Sequence, residues 1–233
     1  MKPVFIIKIF VDICMSALFL LLMSYHLLDD APHEWIGAAV FLLFSAHNIL
    51  NYRWYKNLFK GKYTAVRLMQ TETNLLLWVT MLGCIVSSLC ISGHVFAFLD
   101  LDAARMGRSL HLVATVWAFI LVSIHLGLHW QMFIGMSKKV FKVQGNAAVI
   151  FRWTARVIVL AISASALYIF ITRKMWEEMF FLTEFKWFDY EKTLLVYFLE
   201  NVCLMTMFGA VGHYSKKLIS RITIKKQKKE ITG

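Results

Sequence analysis

Proline is nearly missing from this chain, with two in 233 residues, and polar residues are too few for an ordinary soluble domain. Hydrophobic residues make up 59% and the mean hydropathy is +0.63, which places the chain in the membrane class. Cysteine is scarce too. Cys14, Cys84, Cys90 and Cys203 all fall in apolar runs, without the CxxCH that attaches a c-type haem or the paired spacing of a zinc site, so they read as core packing. Acidic residues number 14 against 25 lysines and arginines. The resulting charge of +11 could suggest nucleic acid, but it sits in loops beside apolar runs, where it is a topology signal.

What is present is a series of apolar stretches of membrane-crossing length. The reading is an all-α integral membrane bundle of six transmembrane helices, at about 4–28, 33–52, 74–98, 109–134, 149–172 and 193–214, in one domain with a basic tail over 215–233. The first run is too long for a signal-peptide core and lacks a small-residue cleavage site, so it is expected to be retained. Pro32 suits the first turn of the second helix. Basic residues mark the N-terminus, the loop from Tyr52 to Leu68, the loop with Lys138, Lys139, Lys142 and Arg152, and the tail. Six spans with both termini in the cytoplasm satisfy that distribution.

Histidine is costly inside a span, where an ionisable side chain must find a partner. The stretch Ser109 to Trp130, SLHLVATVWAFILVSIHLGLHW, nevertheless carries three. His111 and His125 are fourteen residues apart, about 40° short of four turns and a rise of roughly 21 Å. The stretch HEWIGAAVFLLFSAHNILN repeats the interval between His33 and His47. With one span between them the second and fourth helices run in the same direction. His33 then matches His111 near the outer face and His47 matches His125 near the inner face. Facing imidazoles at two levels suit the axial ligands of two b-type haems between helices 2 and 4.

Other residues leave alternatives open. His129 completes an HxxxH with His125 and lies on the face of His111, so it could replace His125 as inner ligand or contact a propionate or a quinone. HxxxH can also bind zinc, copper or iron, but no Glu or further histidine cluster accompanies it. Gly37, one turn beyond His33, fits either a flat ring against the backbone or close helix packing. Asp12, one turn after Lys8, is either that lysine's partner or a proton or quinone site, a role also open to Glu200. Arg152 and Arg156 could hold an inner-haem propionate or anchor the helix at the cytoplasmic face. His26, His94 and His213 read as ordinary interfacial histidines.

The segments HEWIGAAVFLLFSAHNILNYRWYKNLFKGKYT and SLHLVATVWAFILVSIHLGLHWQMFIGM resemble the flavinylation-associated cytochrome family, small membrane cytochromes long catalogued as a domain of unknown function. The likeness runs from about Asp12 to Lys138 and is loose beyond Arg156. It implies that His33, His47, His111 and His125 are haem ligands and that electrons pass towards a flavin-bearing extracytoplasmic protein. Many relatives carry a second histidine where this chain has Ala46, and a spacing of 13 would turn that ring off the face of His33. No flavin motif is present here. The expected function is transmembrane electron transfer from a quinol donor by a di-haem cytochrome b in the cytoplasmic membrane. A haem-free histidine-lined metal or proton transporter, and a membrane anchor subunit of a redox complex, are the rival readings.

Overall fold

The computed structural model describes residues 3–25, 28–99, 101, 103–140, 145–183, 189 and 191–232. His26, Lys142 and part of the aromatic loop before the last helix lie outside the described residues. Among the described residues all regular structure is helical. In chain order it comprises α1 (Pro3–Leu22), α2 (Asp30–Leu50), α3 (Tyr52–Lys56), α4 (Ala65–Ile91), α5 (Ala104–Leu128), α6 (Trp130–Val140), α7 (Gly145–Thr172), α8 (Met175–Met179) and α9 (Leu194–Thr232), with a 3₁₀ turn at Ala97–Leu99.

Five segments, Val4–Leu22, Ala65–Ile91, Ala104–Leu128, Ala147–Thr172 and Leu194–Lys225, are long and apolar enough to cross a membrane, which marks this as a membrane protein. Helices suit that setting because every interior backbone group is satisfied within the segment. α2 has the length but is not among the five. Its ends carry Asp30, His33 and Glu34, and then His47 and Asn48. Apolar side chains such as Val157, Leu160 and Leu167 on α7 point outward, whereas Ser87, Ser123 and Asn201 are buried. An exterior so apolar is the reverse of a soluble protein's surface.

Several helix ends depart from the sequence expectation, among them the ends of α1 at Leu22 and of α4 at Ile91; three departures have a local reason. α4 starts at Ala65 rather than near 74, because the Thr64 hydroxyl accepts the Arg67 N–H at 3.2 Å and caps it. α5 ends at Leu128 rather than near 134. The Leu128 carbonyl accepts a hydrogen bond from Lys216 Nζ at 2.7 Å, while the His129 N–H turns back to the carbonyls of His125 and Leu126. α9 continues to Thr232 through the basic tail, since no glycine or proline interrupts residues 213–232.

The chain divides into two compact units. The first comprises Met1–Lys62, Thr80–Thr115 and Glu177–Val202. In it α1 packs on α2, with Val11, Phe19, Leu20, Val40, Met81 and Ala114 buried. The second comprises Tyr63–Val79, Val116–Trp176 and Cys203–Gly233, with Val116, Phe119, Leu128 and Leu204 buried. Within it α5 and α9 approach backbone to backbone: a Cβ on Gly127 would stand 1.9 Å from the Gly209 carbonyl oxygen, and one on Gly212 would stand 2.5 Å from that of Ile124. Glycine alone permits such a crossing, which is how helices associate where there is no hydrophobic drive between them.

Candidate functional site

In the first unit, His33 in the opening turns of α2 and His111 on α5 face each other, with ring centroids 6.3 Å apart and planes at 75°. The Ser87 hydroxyl donates its single proton to the Cys84 carbonyl at 2.9 Å. Its 3.0 Å contact with His111 Nδ1 therefore has the imidazole as donor, which leaves the His111 Nε2 lone pair free. His33 differs, because its buried Nδ1 has no hydrogen-bond partner among the described residues. Tyr25 meets the His33 ring edge-on at 4.8 Å. A Cβ added to Gly37 would meet nothing within 4 Å. That removes close helix packing as the reason for the glycine and leaves room for a flat group beside His33.

Glu34 fixes the position of His33. Its carboxylate accepts the Ser92 hydroxyl at 2.6 Å and the backbone N–H groups of Gly93, His94 and Val95 at 2.8, 3.0 and 2.8 Å. Four donors on one carboxylate tie the second turn of α2 to the segment that follows α4. Tyr25, just before α2, donates its hydroxyl proton to Asp30. That bond, followed by burial and the Asp30 charge, pushes the Tyr25 pKa up to about 12.

His47, near the other end of α2, donates from Nδ1 to Asp12 Oδ1 on α1 at 2.6 Å. The carboxylate only accepts, so Nε2 of His47 is again the free nitrogen. The Lys8 partnership open to Asp12 in the sequence is not the one formed. Lys8 Nζ donates instead to Asn51 Oδ1 at 2.8 Å, and Asn51 Nδ2 donates to the His47 carbonyl at 2.9 Å. Glu200, the other candidate for proton or quinone chemistry, is half-buried and forms an ion pair with Lys192 at 2.7 Å.

In the second unit, His125 Nδ1 donates to Asn74 Oδ1 on α4 at 2.9 Å. His129 lies past the end of α5 and is exposed, with its ring centre 4.9 Å from that of His125. The contact with Asn74 orients the His125 ring. Arg152 and Arg156 are exposed; Arg152 Nε donates to the Ala148 carbonyl and Arg156 lies over the Trp153 ring at 4.9 Å. The four cysteines are half-buried free thiols. Among the described residues no three histidine, cysteine or carboxylate side chains gather as a metal-binding group.

Sequence reasoning missed Ser87, Asn74 and Glu34. A signal for the first two existed: they are polar residues thirteen apart on the apolar α4, and they meet His111 and His125 in reverse chain order, as antiparallel neighbours of two histidines should. Comparison with protein-family models, with curated proteins and with solved structures finds no match.

Proposed function

We propose that this chain is a six-span, di-haem cytochrome b that carries electrons across the cytoplasmic membrane, with α2 as the sixth span and both termini in the cytoplasm. The observation that supports it most is the His33–His111 pair, 6.3 Å between ring centres. His33 and His111 would hold the iron between them, since that separation leaves room for one metal ion at about 2 Å from a nitrogen of each ring. The free Nε2 of His111 and the open space at Gly37 fit the same group.

By the repeated spacing of fourteen in the sequence, His47 and His125 would be the ligands of the second haem. Haem supplies a one-electron iron couple; the protein supplies orientation, spacing and exclusion of water. Ser87, Asp12 and Asn74 each accept the Nδ1 proton of one histidine, which fixes the tautomer and aims the opposite nitrogen. The resemblance to flavinylation-associated cytochromes adds a flavin-bearing extracytoplasmic acceptor and a quinol donor on the cytoplasmic side. The exposure of Arg152 and Arg156 favours anchoring at that face over propionate binding.

The test is a reduced-minus-oxidised visible spectrum of the full chain purified from haem-replete cells. A Soret shift and split α bands are expected. A flat difference spectrum would eliminate the cytochrome and leave a haem-free transporter or an anchor subunit.

A further inference from the structure

Asp12 is the one acidic residue of α1, a mostly apolar helix whose other charged residue is Lys8; it is half-buried, with its carboxylate 2.6 Å from the imidazole of His47. A charge at that depth is expensive and persists only with a partner. Lys8, one turn away, is committed to Asn51. We infer that Asp12 is the positioning residue of the His47 site, that it lowers the reduction potential there, and that it thereby directs electrons from the His47 site towards the His33–His111 site. This rests on the reading of His47 as an iron ligand.

The argument is a comparison of partners. The acceptor at His47 is a carboxylate, at His111 a hydroxyl and at His125 a neutral amide oxygen. His33 has none among the described residues. A carboxylate on Nδ1–H draws the proton towards itself and raises electron density on Nε2, which makes the imidazole a stronger donor. A stronger donor favours the more highly charged, oxidised iron, and such hydrogen bonding is one of the protein's means of setting a potential. Ser87 exerts the same pull far more weakly. One electron leaving the His47 site oxidises it and reduces the His33–His111 site. That transfer is downhill if the carboxylate makes His47 the lower-potential site. The electrons enter from the quinol already proposed and leave to the outer acceptor.

The experiment is an equilibrium redox titration of the detergent-purified full chain, followed at the α bands, for wild type, D12N, D12E and H33A. Wild type should show two midpoints, and H33A should remove the higher one. D12N should make the lower site about tenfold easier to reduce, an upward shift of about 59 mV for a one-electron couple, and leave the higher midpoint in place. D12E should return it towards the wild-type value. A purely structural role would not move a midpoint in a variant that retains both haems, so unchanged midpoints in D12N overturn the inference. If D12N does not accumulate, H33A decides: loss of the lower component overturns the inference, and loss of the higher one supports it. A wild-type protein without haem bands strikes instead at the cytochrome reading itself.

Discussion

At the scale of single residues, the candidate site depends on what each histidine does with its second nitrogen. Ser87 is the clearest case, because its only proton goes to Cys84 and the imidazole must donate to it. Ser87→Ala removes one acceptor from that N–H and leaves the Cys84 carbonyl as the other, a loss of about 1 kcal/mol. The haem bound through His111 should then dissociate roughly 10–100-fold faster, measured by its transfer to a haem-scavenging apoprotein. An unchanged rate would mean that Ser87 does not orient His111. Tyr25 gives a second prediction. Its hydrogen bond to Asp30 holds the phenol protonated, with the folded pKa at about 12 against an ordinary 10.0. The raised value stabilises the fold below the ordinary tyrosine range, and the contribution is lost as pH rises from 10 towards 12. Neutral pH therefore leaves it intact. Ultraviolet titration should show Tyr25 ionising late in wild type and at a lower pH in Asp30→Asn, where burial still holds it up.

The histidines were legible in the sequence, because an ionisable residue inside an apolar run announces itself and the interval of fourteen repeats. Their partners were not. Whether Asp12 turns to Lys8 or to His47 depends on the relative rotation of α1 and α2, which no local pattern in either helix specifies. Glu34 was hidden for a different reason. A carboxylate near the start of a helix reads as an ordinary N-terminal acid, and its four donors come from residues 92–95.

At the scale of elements, the long helices follow from uninterrupted apolar sequence, and their ends from details weaker than hydropathy. A threonine cap lengthens α4 at its start, and a lysine from α9 meets the last carbonyl of α5. The α5–α9 crossing in the second unit is the tightest contact in that unit's backbone geometry to depend on glycine. Gly127→Ala places a methyl carbon 1.9 Å from the Gly209 oxygen, so the helices must separate. Overpacking of that kind costs typically 1–3 kcal/mol or more. Thermal unfolding in detergent should show Gly127→Ala clearly below wild type, and Gly135→Ala, where a Cβ meets nothing within 4 Å, close to it. Equal midpoints for the two would show that the crossing tolerates separation.

At the scale of the whole molecule, the sequence supplied the class, an all-helical membrane protein, and its principal helices. The status of α2 turns on its polar ends rather than its length. Those polar residues are the candidate site itself, which is why hydropathy discriminates poorly there. With α2 as a sixth span, a cysteine introduced at either terminus should be out of reach of membrane-impermeant labelling reagents in intact cells, and both should label after permeabilisation. With five spans the termini would face opposite sides and one would label in intact cells.

The central claim is that His33 and His111 bind one iron between them, and difference spectra of His33→Ala and His111→Ala test it most directly. Both variants should lose the same α-band component and retain the other. Loss of different components from the two variants would contradict the pairing, and with it the account of the site.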